Sequence, residues 1–336
     1  MEEKFTIILI GAFGHVGKTL IPLLLAKGYA VRAFDFKLSQ EKHPTNPMLS
    51  FYRGDVTKPE TLAPLFKGLS PHHFAVIHLA ALIDIEAKKP TPAMEAVNVE
   101  GVKNVFALFE QFKGSRFLYV SSVDAFRQTH SLINEDSPLV EAKDRAAGYP
   151  ITKAEATRFI KEKQAEGADV VIVYPSGIIG PNDEGNNHLI QLLRDYLLNK
   201  LPGIIPSGYD VVDVRDLSMA MVALLEKKTL RDSYFLTGHQ VTLKRLLEWA
   251  REWNHGQGKK IRVFPYWVAY LGLPFVKTYC KIHHKKPLYT AFAISVVKHA
   301  NTFNRSRASL DLNYTPRDPK KSVFDSLDFL RSKGII

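Results

Sequence analysis

The apolar run Phe5-Thr6-Ile7-Ile8-Leu9-Ile10 passes directly into Gly11-Ala12-Phe13-Gly14-His15-Val16-Gly17, and an apolar helical pattern follows from Thr19 to Ala26. A strand with one wet face alternates polar and apolar residues. A near-continuous apolar run instead reads as a strand buried on both faces, which is the habit of parallel sheets. Three glycines at the junction let the backbone turn sharply and approach a ligand closely. The N-terminus of the helix then offers free N–H donors to an anion such as a pyrophosphate. Few folds accommodate a strand, a tight glycine turn and a helix in that order, and the reading here is dinucleotide binding.

The rest of the chain repeats the alternation. Strand patterns fall at Ala30 to Phe34, Leu49 to Tyr52, Phe74 to Leu79, Phe117 to Val120 and Val170 to Val173, with helical patterns at Glu60 to Phe66, Ala93 to Phe112 and Tyr149 to Gln164. Parallel strands need a crossover between them, and a helix is the usual one. The expected fold is therefore α/β: a doubly wound, mostly parallel Rossmann sheet followed by a smaller, mainly helical C-terminal substrate domain. Residues 1–182 form the dinucleotide-binding part, with 210–240 returning to it; residues 183–209 and 241–336 form the substrate-binding part. In the later stretch a helix is expected near Leu189 to Leu198, another capped by Asp216 and reaching Glu226, a strand at Tyr234 to Leu236, and a helix opened by Thr242.

Composition removes several alternatives. The chain has 336 residues, and its one cysteine, Cys280, allows no internal disulfide framework and no thiolate zinc cluster. The N-terminus lacks the pattern of a signal peptide, and the apolar stretch near Val263 to Val276 is interrupted by Pro265 and Pro274. A soluble, cytoplasmic protein is expected. The net charge of +11 is unevenly placed: of 45 Lys and Arg and 34 Asp and Glu, 15 and 4 lie from Asn254 onward, leaving 30 of each before it. The basic C-terminal quarter reads as a solvated face. No nucleic-acid motif accompanies it, so nucleic acid is not an expected partner. The aromatic set Phe264, Tyr266, Trp267, Tyr270, Phe275 and Tyr279, followed by Lys281-Ile282-His283-His284-Lys285-Lys286, reads as helix core in preference to an apolar substrate pocket, a membrane contact or a metal site.

Several residues carry chemistry. Asp35, at the end of the second strand, could accept both hydroxyls of an adenosine ribose and would repel a 2′-phosphate, favouring NAD over NADP. Arg32 and Lys37 stand near enough in sequence to soften that preference and leave NADP open. Tyr149 and Lys153 lie four apart, on one face of a helix whose mouth is marked by Pro150. A phenol near its ordinary pKa of about 10 is a poor proton carrier at neutral pH, and a nearby ammonium would bring it down. Ser121-Ser122 close the fifth strand, where a hydroxyl can hold a carbonyl oxygen. The Tyr-x-x-x-Lys spacing alone is common, and its weight comes from this company.

Taken together, the glycine loop, Asp55 in Gly54-Asp55-Val56, His78-Leu79-Ala80-Ala81, Asn98-Val99-x-Gly101, Ser121-Ser122, Tyr149-x-x-x-Lys153 and Tyr174-Pro175-x-Gly177-x-x-Gly180-Pro181 resemble the extended short-chain dehydrogenase/reductases, the NAD-dependent epimerase/dehydratase family. The likeness runs on through Val214-Arg215-Asp216 to Leu312-Asn313-Tyr314-Thr315-Pro316-Arg317. It implies that Gly11, Gly14 and Gly17 with the amides of Phe13, His15 and Val16 hold the pyrophosphate, and that Asp35 binds the ribose. It also implies that Asp55 and Val56 meet the adenine, while Leu79, Ala80, Ala81 and Pro175 run beside the cofactor. Catalysis would fall to Ser122, Tyr149 and Lys153, with Asn98 completing the set. The resemblance implies no metal, and a homodimer is the expected assembly.

Sugar-nucleotide enzymes of this superfamily place an arginine where this chain has Tyr209, and usually another where it has Tyr174. Both losses remove a phosphate fork. The pattern is nearer the dihydroflavonol-reductase and 3β-hydroxysteroid-dehydrogenase branch. That branch moves a hydride between nicotinamide and a ketone, aldehyde or secondary alcohol. The alternatives are a sugar-nucleotide epimerase or dehydratase, and a non-catalytic dinucleotide-binding regulator.

Overall fold

A computed structural model describes residues 5–37, 46–84, 87–128, 132–144, 146–185, 187–268, 271 and 302–336. Strand β1 (Thr6–Ile10) is joined to β2 (Ala30–Asp35) by α1 (His15–Ala26), and β3 (Leu49–Arg53) follows; α2 (Pro59–Phe66) leads to β4 (Phe74–His78). A helical run follows: α3 (Pro92–Glu95), a π-helical turn (Ala96–Glu100) and α4 (Gly101–Gln111). After β5 (Arg116–Val120) come α5 (Gly148–Ala165), β6 (Val170–Pro175), β7 (Gly177–Ile179), α6 (His188–Leu197), β8 (Gly208–Asp213) and α7 (Val214–Glu226). The chain closes with β9 (Ser233–Leu236), β10 (His239–Thr242), α8 (Leu243–Trp253), α9 (Ser306–Leu312) and α10 (Pro319–Ser332).

The seven-stranded sheet has the order β3-β2-β1-β4-β5-β6-β9, parallel throughout. In β1 and β4 every residue is buried, as their unbroken apolar runs require. Alternation sends Ile8 and Ile10 to a core shared with α2, α4 and α5, while Ile7 and Leu9 face the core of α1 and α7. The strand order reverses between β1 and β4, so the ligand crevice of a doubly wound sheet opens at their carboxyl ends.

A second, three-stranded sheet, β10-β8-β7, was not expected from the sequence; β8 pairs antiparallel with β10 and parallel with β7. Its strands are short and mix polar with apolar residues, so no period marks them. They pack with α6, α8 and α10 around a third core that includes Ile190, Leu193, Leu246 and Leu327. Among the described residues no helix is long and apolar enough to cross a membrane.

Asp216 does not cap α7. Asp213 does, its Oδ1 accepting the Arg215 N–H at 2.8 Å. Asp216 lies within the first turn and is gripped by Arg317, through Nε at 2.8 Å, Nη2 at 2.6 Å and the main-chain N–H at 2.8 Å. The Val-Arg-Asp and tail motifs are therefore two halves of one partly buried ion pair. Thr242 does open α8, accepting the Arg245 N–H. Of the aromatic set expected as core, Trp267 is 65% exposed, and Phe264 and Tyr266 are half-buried. The residues Tyr270, Phe275, Tyr279, Cys280 and Lys281 to Lys286 lie outside the described residues.

Candidate active site

The glycine loop closes on backbone. Gly11 has φ +86°, and a Cβ there would stand 2.8 Å from the Ala80 nitrogen; at Gly17 it would stand 2.4 Å from the Ala12 oxygen. No side chain caps α1, whose N-cap is Gly14, so the first N–H groups of that helix remain for an outside anion. Those features fit a dinucleotide pyrophosphate. One amide is committed elsewhere: the Phe13 N–H donates to Asp35 Oδ2 at 2.9 Å, because the turn brings the end of β2 beside it. The Phe13 N–H therefore steadies the Asp35 carboxylate, where the sequence reading had it holding a pyrophosphate. His15 is likewise anchored, its Nε2 within 2.8 Å of the Pro181 carbonyl, and Val16 is buried in the α1 core.

At the end of β2, the Lys37 N–H also reaches Asp35, at 3.1 Å to Oδ1. Each carboxylate oxygen keeps a lone pair for a ribose hydroxyl. Arg32 cannot soften the selection as expected, because its guanidinium is spent on the Leu65 and Lys67 carbonyls at 2.7 and 2.9 Å. Asp55 turns the chain toward α2 by accepting the Thr57 N–H and hydroxyl at 2.9 and 2.8 Å. The Val56 side chain belongs to the core, so only its main chain can face an adenine. Leu79, Ala80 and Ala81 are half-buried along the crevice, with the Leu79 N–H held by the Ile10 carbonyl at 2.8 Å. Pro175 ends β6, buried.

The chemistry-bearing side chains converge at the carboxyl ends of β5 and β6. Ser121 turns inward to Thr157, with 2.7 Å between their hydroxyls. Ser122 faces the site, its Oγ accepting the Asp124 N–H at 3.1 Å. Tyr149 stands in the first turn of α5, 9% exposed. One turn on, Lys153 is 2% exposed, and its Nζ donates to the Val120 carbonyl at 2.8 Å.

The protonation balance differs from the sequence reading. The Tyr149 phenol is pushed up, first by burial and then by the Asp124 charge, with Ser122 pulling the other way. Lys153 is pushed down to about 7 by burial. The expected stabilisation of a phenolate by an adjacent ammonium is thus offset here, because burying that ammonium is itself costly. His78 sits behind the lysine, fully buried, with neither ring nitrogen partnered; burial and the Lys153 charge push it down to about 3.

Burial of Lys153 fixes a pH dependence. Below about pH 7 folded and unfolded chains both carry the proton, and the folded state bears the whole cost. Between pH 7 and the ordinary lysine value of about 10.4 the unfolded chain binds the extra proton, so stability rises with pH. Urea unfolding should show a gain of about 2 kcal/mol between roughly pH 7.5 and 9.5 relative to Lys153→Met. Equal slopes in the two proteins would contradict it.

Asn98 is a positioning residue. It occupies the π-helical turn and is fully buried. Its Oδ1 accepts the Leu82 N–H at 2.7 Å, and its Nδ2 donates to the Leu82 carbonyl and to Thr152 Oγ1, both at 3.0 Å. Thr152 in turn donates to the Tyr149 carbonyl. The amide therefore ties the segment beyond β4 to the first turn of α5. Asn98→Ala should cost about 2 kcal/mol in urea unfolding, the penalty for buried polar groups left unpaired. A loss below roughly 0.5 kcal/mol would show that the clamp is dispensable.

Asp124 and the proximity of Tyr209 were not foreseen. Asp124 is half-buried two residues beyond Ser122, its carboxyl is pushed up by burial, and its charge acts on both the Tyr149 and Tyr209 phenols. The only sequence signal was its distance from Ser122. Tyr209 stands on β8, which brings the small sheet to the catalytic end of the large one.

Comparison with known proteins agrees with this architecture. Residues 7–235 match the NAD dependent epimerase/dehydratase family. Sterol demethylase protein B of Methylococcus capsulatus is 22% identical over 334 residues, covering 98% of this chain and 100% of that protein. A 3-beta-hydroxysteroid dehydrogenase of Mycolicibacterium neoaurum is 30% identical over 184 residues, 53% of this chain and 49% of that one. The crystal structure of UDP-glucuronic acid 4-epimerase from Bacillus cereus, with UDP-glucuronic acid and NAD, superposes with a TM-score of 0.77 at 16% identity, covering 98% and 99% of the two chains.

Proposed function

The chain belongs to the NAD dependent epimerase/dehydratase family and is an NAD(P)-dependent enzyme of the extended short-chain dehydrogenase/reductase type, and on that footing we propose that it transfers a hydride between nicotinamide and a carbonyl or secondary alcohol on a largely apolar substrate. The observation that carries this reading is the grouping of Ser122, Tyr149 and Lys153 at the carboxyl ends of the central strands, with the phenol kept protonated.

Bound NAD(H) supplies or accepts the hydride. Gly11, Gly14 and Gly17 with the N-terminus of α1 would hold its pyrophosphate, Asp35 its adenosine ribose and Lys153 its nicotinamide ribose. Ser122 would donate a hydrogen bond to the substrate oxygen and fix its direction. In reduction the Tyr149 hydroxyl gives its proton to that oxygen as the carbonyl carbon gains the hydride; in oxidation the same oxygen returns it. The protonated phenol favours the first direction at neutral pH.

The apolar substrate is supported by two features. Tyr209 replaces the cation that a nucleotide-sugar pyrophosphate would require. Gly208, beside it, lines a cavity of about 520 Å³ together with Ile204, Ile205, Val241, Val263 and Tyr266. The names of the sterol demethylase and hydroxysteroid dehydrogenase relatives point to the same chemistry. In this reading residues 183–209 and 241–336 serve as the substrate-binding part, and 1–182 with 210–240 as the dinucleotide-binding part. The test is NADH consumption against a panel of cyclic ketones and aldehydes, run beside UDP-glucose and UDP-glucuronic acid. Oxidation of NADH by an apolar ketone is expected. Interconversion of a UDP-sugar with no net change in NADH would overturn the proposal.

A further inference from the structure

Each reduction consumes the Tyr149 proton, and the next one needs it replaced. Behind the phenol the groups are sealed: Lys153 is 2% exposed with its Nζ turned to the Val120 carbonyl, and His78 beyond it is fully buried. On the other side, the Ser122 hydroxyl is placed to hydrogen-bond with both the Tyr149 phenol and the Asp124 carboxyl, and it draws each down against the upward push of burial. Asp124 is the middle residue of a short 3-10 turn, Val123–Ala125. Its two neighbours are sunk in the core shared with α5, which leaves Asp124 to meet the site. The turn is fixed, because the Asp124 N–H donates to Ser122 Oγ at 3.1 Å and the Ala125 carbonyl accepts the Val140 N–H at 2.8 Å. Tyr149 and Ser122 are buried whereas Asp124 is half-buried, so exposure rises along the line of three. Among the described residues Asp124 has no ion pair, the arrangement that would give a structural carboxylate its purpose.

We propose that Asp124 is a positioning residue acting through Ser122: it returns to Tyr149 the proton lost in each reduction and links the buried phenol to solvent. The inference rests on the hydride-transfer reading above. Once the carbonyl carbon has gained the hydride, its oxygen has gained the phenol proton and the alcohol has left, Tyr149 is a phenolate. The Ser122 O–H bond then breaks as a new O–H bond forms on Tyr149, and the Asp124 O–H bond breaks as Ser122 regains its proton. Solvent water reprotonates the carboxylate, and no electrons move beyond the hydride pair. The transfer runs toward Tyr149, because a phenolate is a far stronger base than a carboxylate and burial strengthens it further. Burial also lets the Asp124 carboxyl keep a proton at higher pH than an exposed aspartate would. The titratable groups facing it are the Tyr149 phenol on α5 and the Tyr209 phenol on β8, neither of them a cation that would hold it ionised.

Stopped-flow mixing of the NADH-loaded full chain with an excess of an apolar ketone that it reduces separates the first turnover from those that follow. In Asp124→Asn the first turnover should stay within about twofold of the unmodified chain, since Tyr149 starts protonated, while the steady rate should fall about tenfold or more. The trace should therefore become a burst of one NADH per active site. Formate or imidazole in the buffer should raise the steady rate of Asp124→Asn at least about threefold, because a small acid can deliver the proton that asparagine cannot. The thermal midpoint of Asp124→Asn controls for folding, and it should not fall, since no ion pair is lost. A first turnover slowed as much as the steady rate, a steady rate that does not fall, or a burst that neither acid relieves would overturn the role of Asp124 while leaving hydride transfer intact. If no ketone oxidises NADH in the unmodified chain, the proposed reaction and this inference fall together.

Discussion

Replacing Tyr149 by Phe should lower turnover about 100- to 10,000-fold, the range of a positioned acid–base group, and should leave dinucleotide binding and folding almost untouched. The ring stays in place at the mouth of α5 and only the hydroxyl goes. In the proposed mechanism that hydroxyl, set between Ser122 and the Asp124 charge, exchanges the proton with the substrate oxygen. Its removal also takes away a buried polar atom, so the thermal midpoint should move by no more than about 2 °C. Steady-state rates and cofactor titration of the same preparation separate the two effects. Turnover within tenfold of the unmodified chain would mean that another donor does the work, and Tyr209 on β8 would be the first to substitute. The pH profile carries the sign of the same argument. Because burial holds the phenol protonated, reduction should stay flat through neutrality, whereas oxidation should speed up as pH rises toward phenolate formation.

Gly17→Ala should be strongly damaging to the glycine turn of the dinucleotide half. The added Cβ would lie 2.4 Å from the Ala12 oxygen and 2.6 Å from its carbonyl carbon. Both are backbone atoms of the turn that α1 must follow, so neither can rotate away. Separation of the helix from the strand end is the only relief, and that movement opens the anion site. A cost of about 3 kcal/mol is expected from such overpacking, with loss of the stabilisation of about 2.7 kcal/mol that a ligand at a hundred times its dissociation constant provides. Gly28→Ala is the matched control. Gly28 also has positive φ, at +82°, yet a Cβ there would meet nothing within 4 Å, so only the backbone strain of about 1 kcal/mol applies. Urea unfolding with and without NAD reads both quantities. Equal losses in the two variants, with ligand stabilisation kept in both, would show that the close approach at Gly17 is not what builds the site.

The large sheet was legible because its strands are buried on both faces, and burial on both faces writes an unbroken apolar run into the sequence. Pro150 likewise marked the mouth of α5, since proline is tolerated only in a first turn. What escaped the sequence depends on where distant backbone arrives. The Phe13 amide turned out to serve Asp35 because β2 ends beside the loop, and nothing in either segment announces that meeting. Arg32 was taken as a ribose neighbour from its distance along the chain; its side chain reaches the end of α2 instead. The π-helical turn that buries Asn98 has no propensity signature, and in sequence it reads as one uninterrupted helix from Ala93 to Phe112. Asp124 was invisible for a different reason: a carboxylate two residues beyond a serine is ordinary in any turn. Its significance appears only when α5 and β8 bring two phenols to it.

The clasp between Asp216 and Arg317 bears on how such a chain can be made. Asp216 is almost completely buried in the first turn of α7, and α7 packs against the sheet core with Leu217, Met221 and Leu224. Its cationic partner lies 101 residues further on, and a buried carboxylate without its partner is strongly unfavourable. Glu135 stands in the same position: it accepts the Phe235 N–H and is paired with Arg307. During synthesis, therefore, the nascent dinucleotide half leaves the ribosome with two anionic sockets that no cation yet fills. It has to wait, partly open, until the segment carrying Arg307 and Arg317 emerges and locks both.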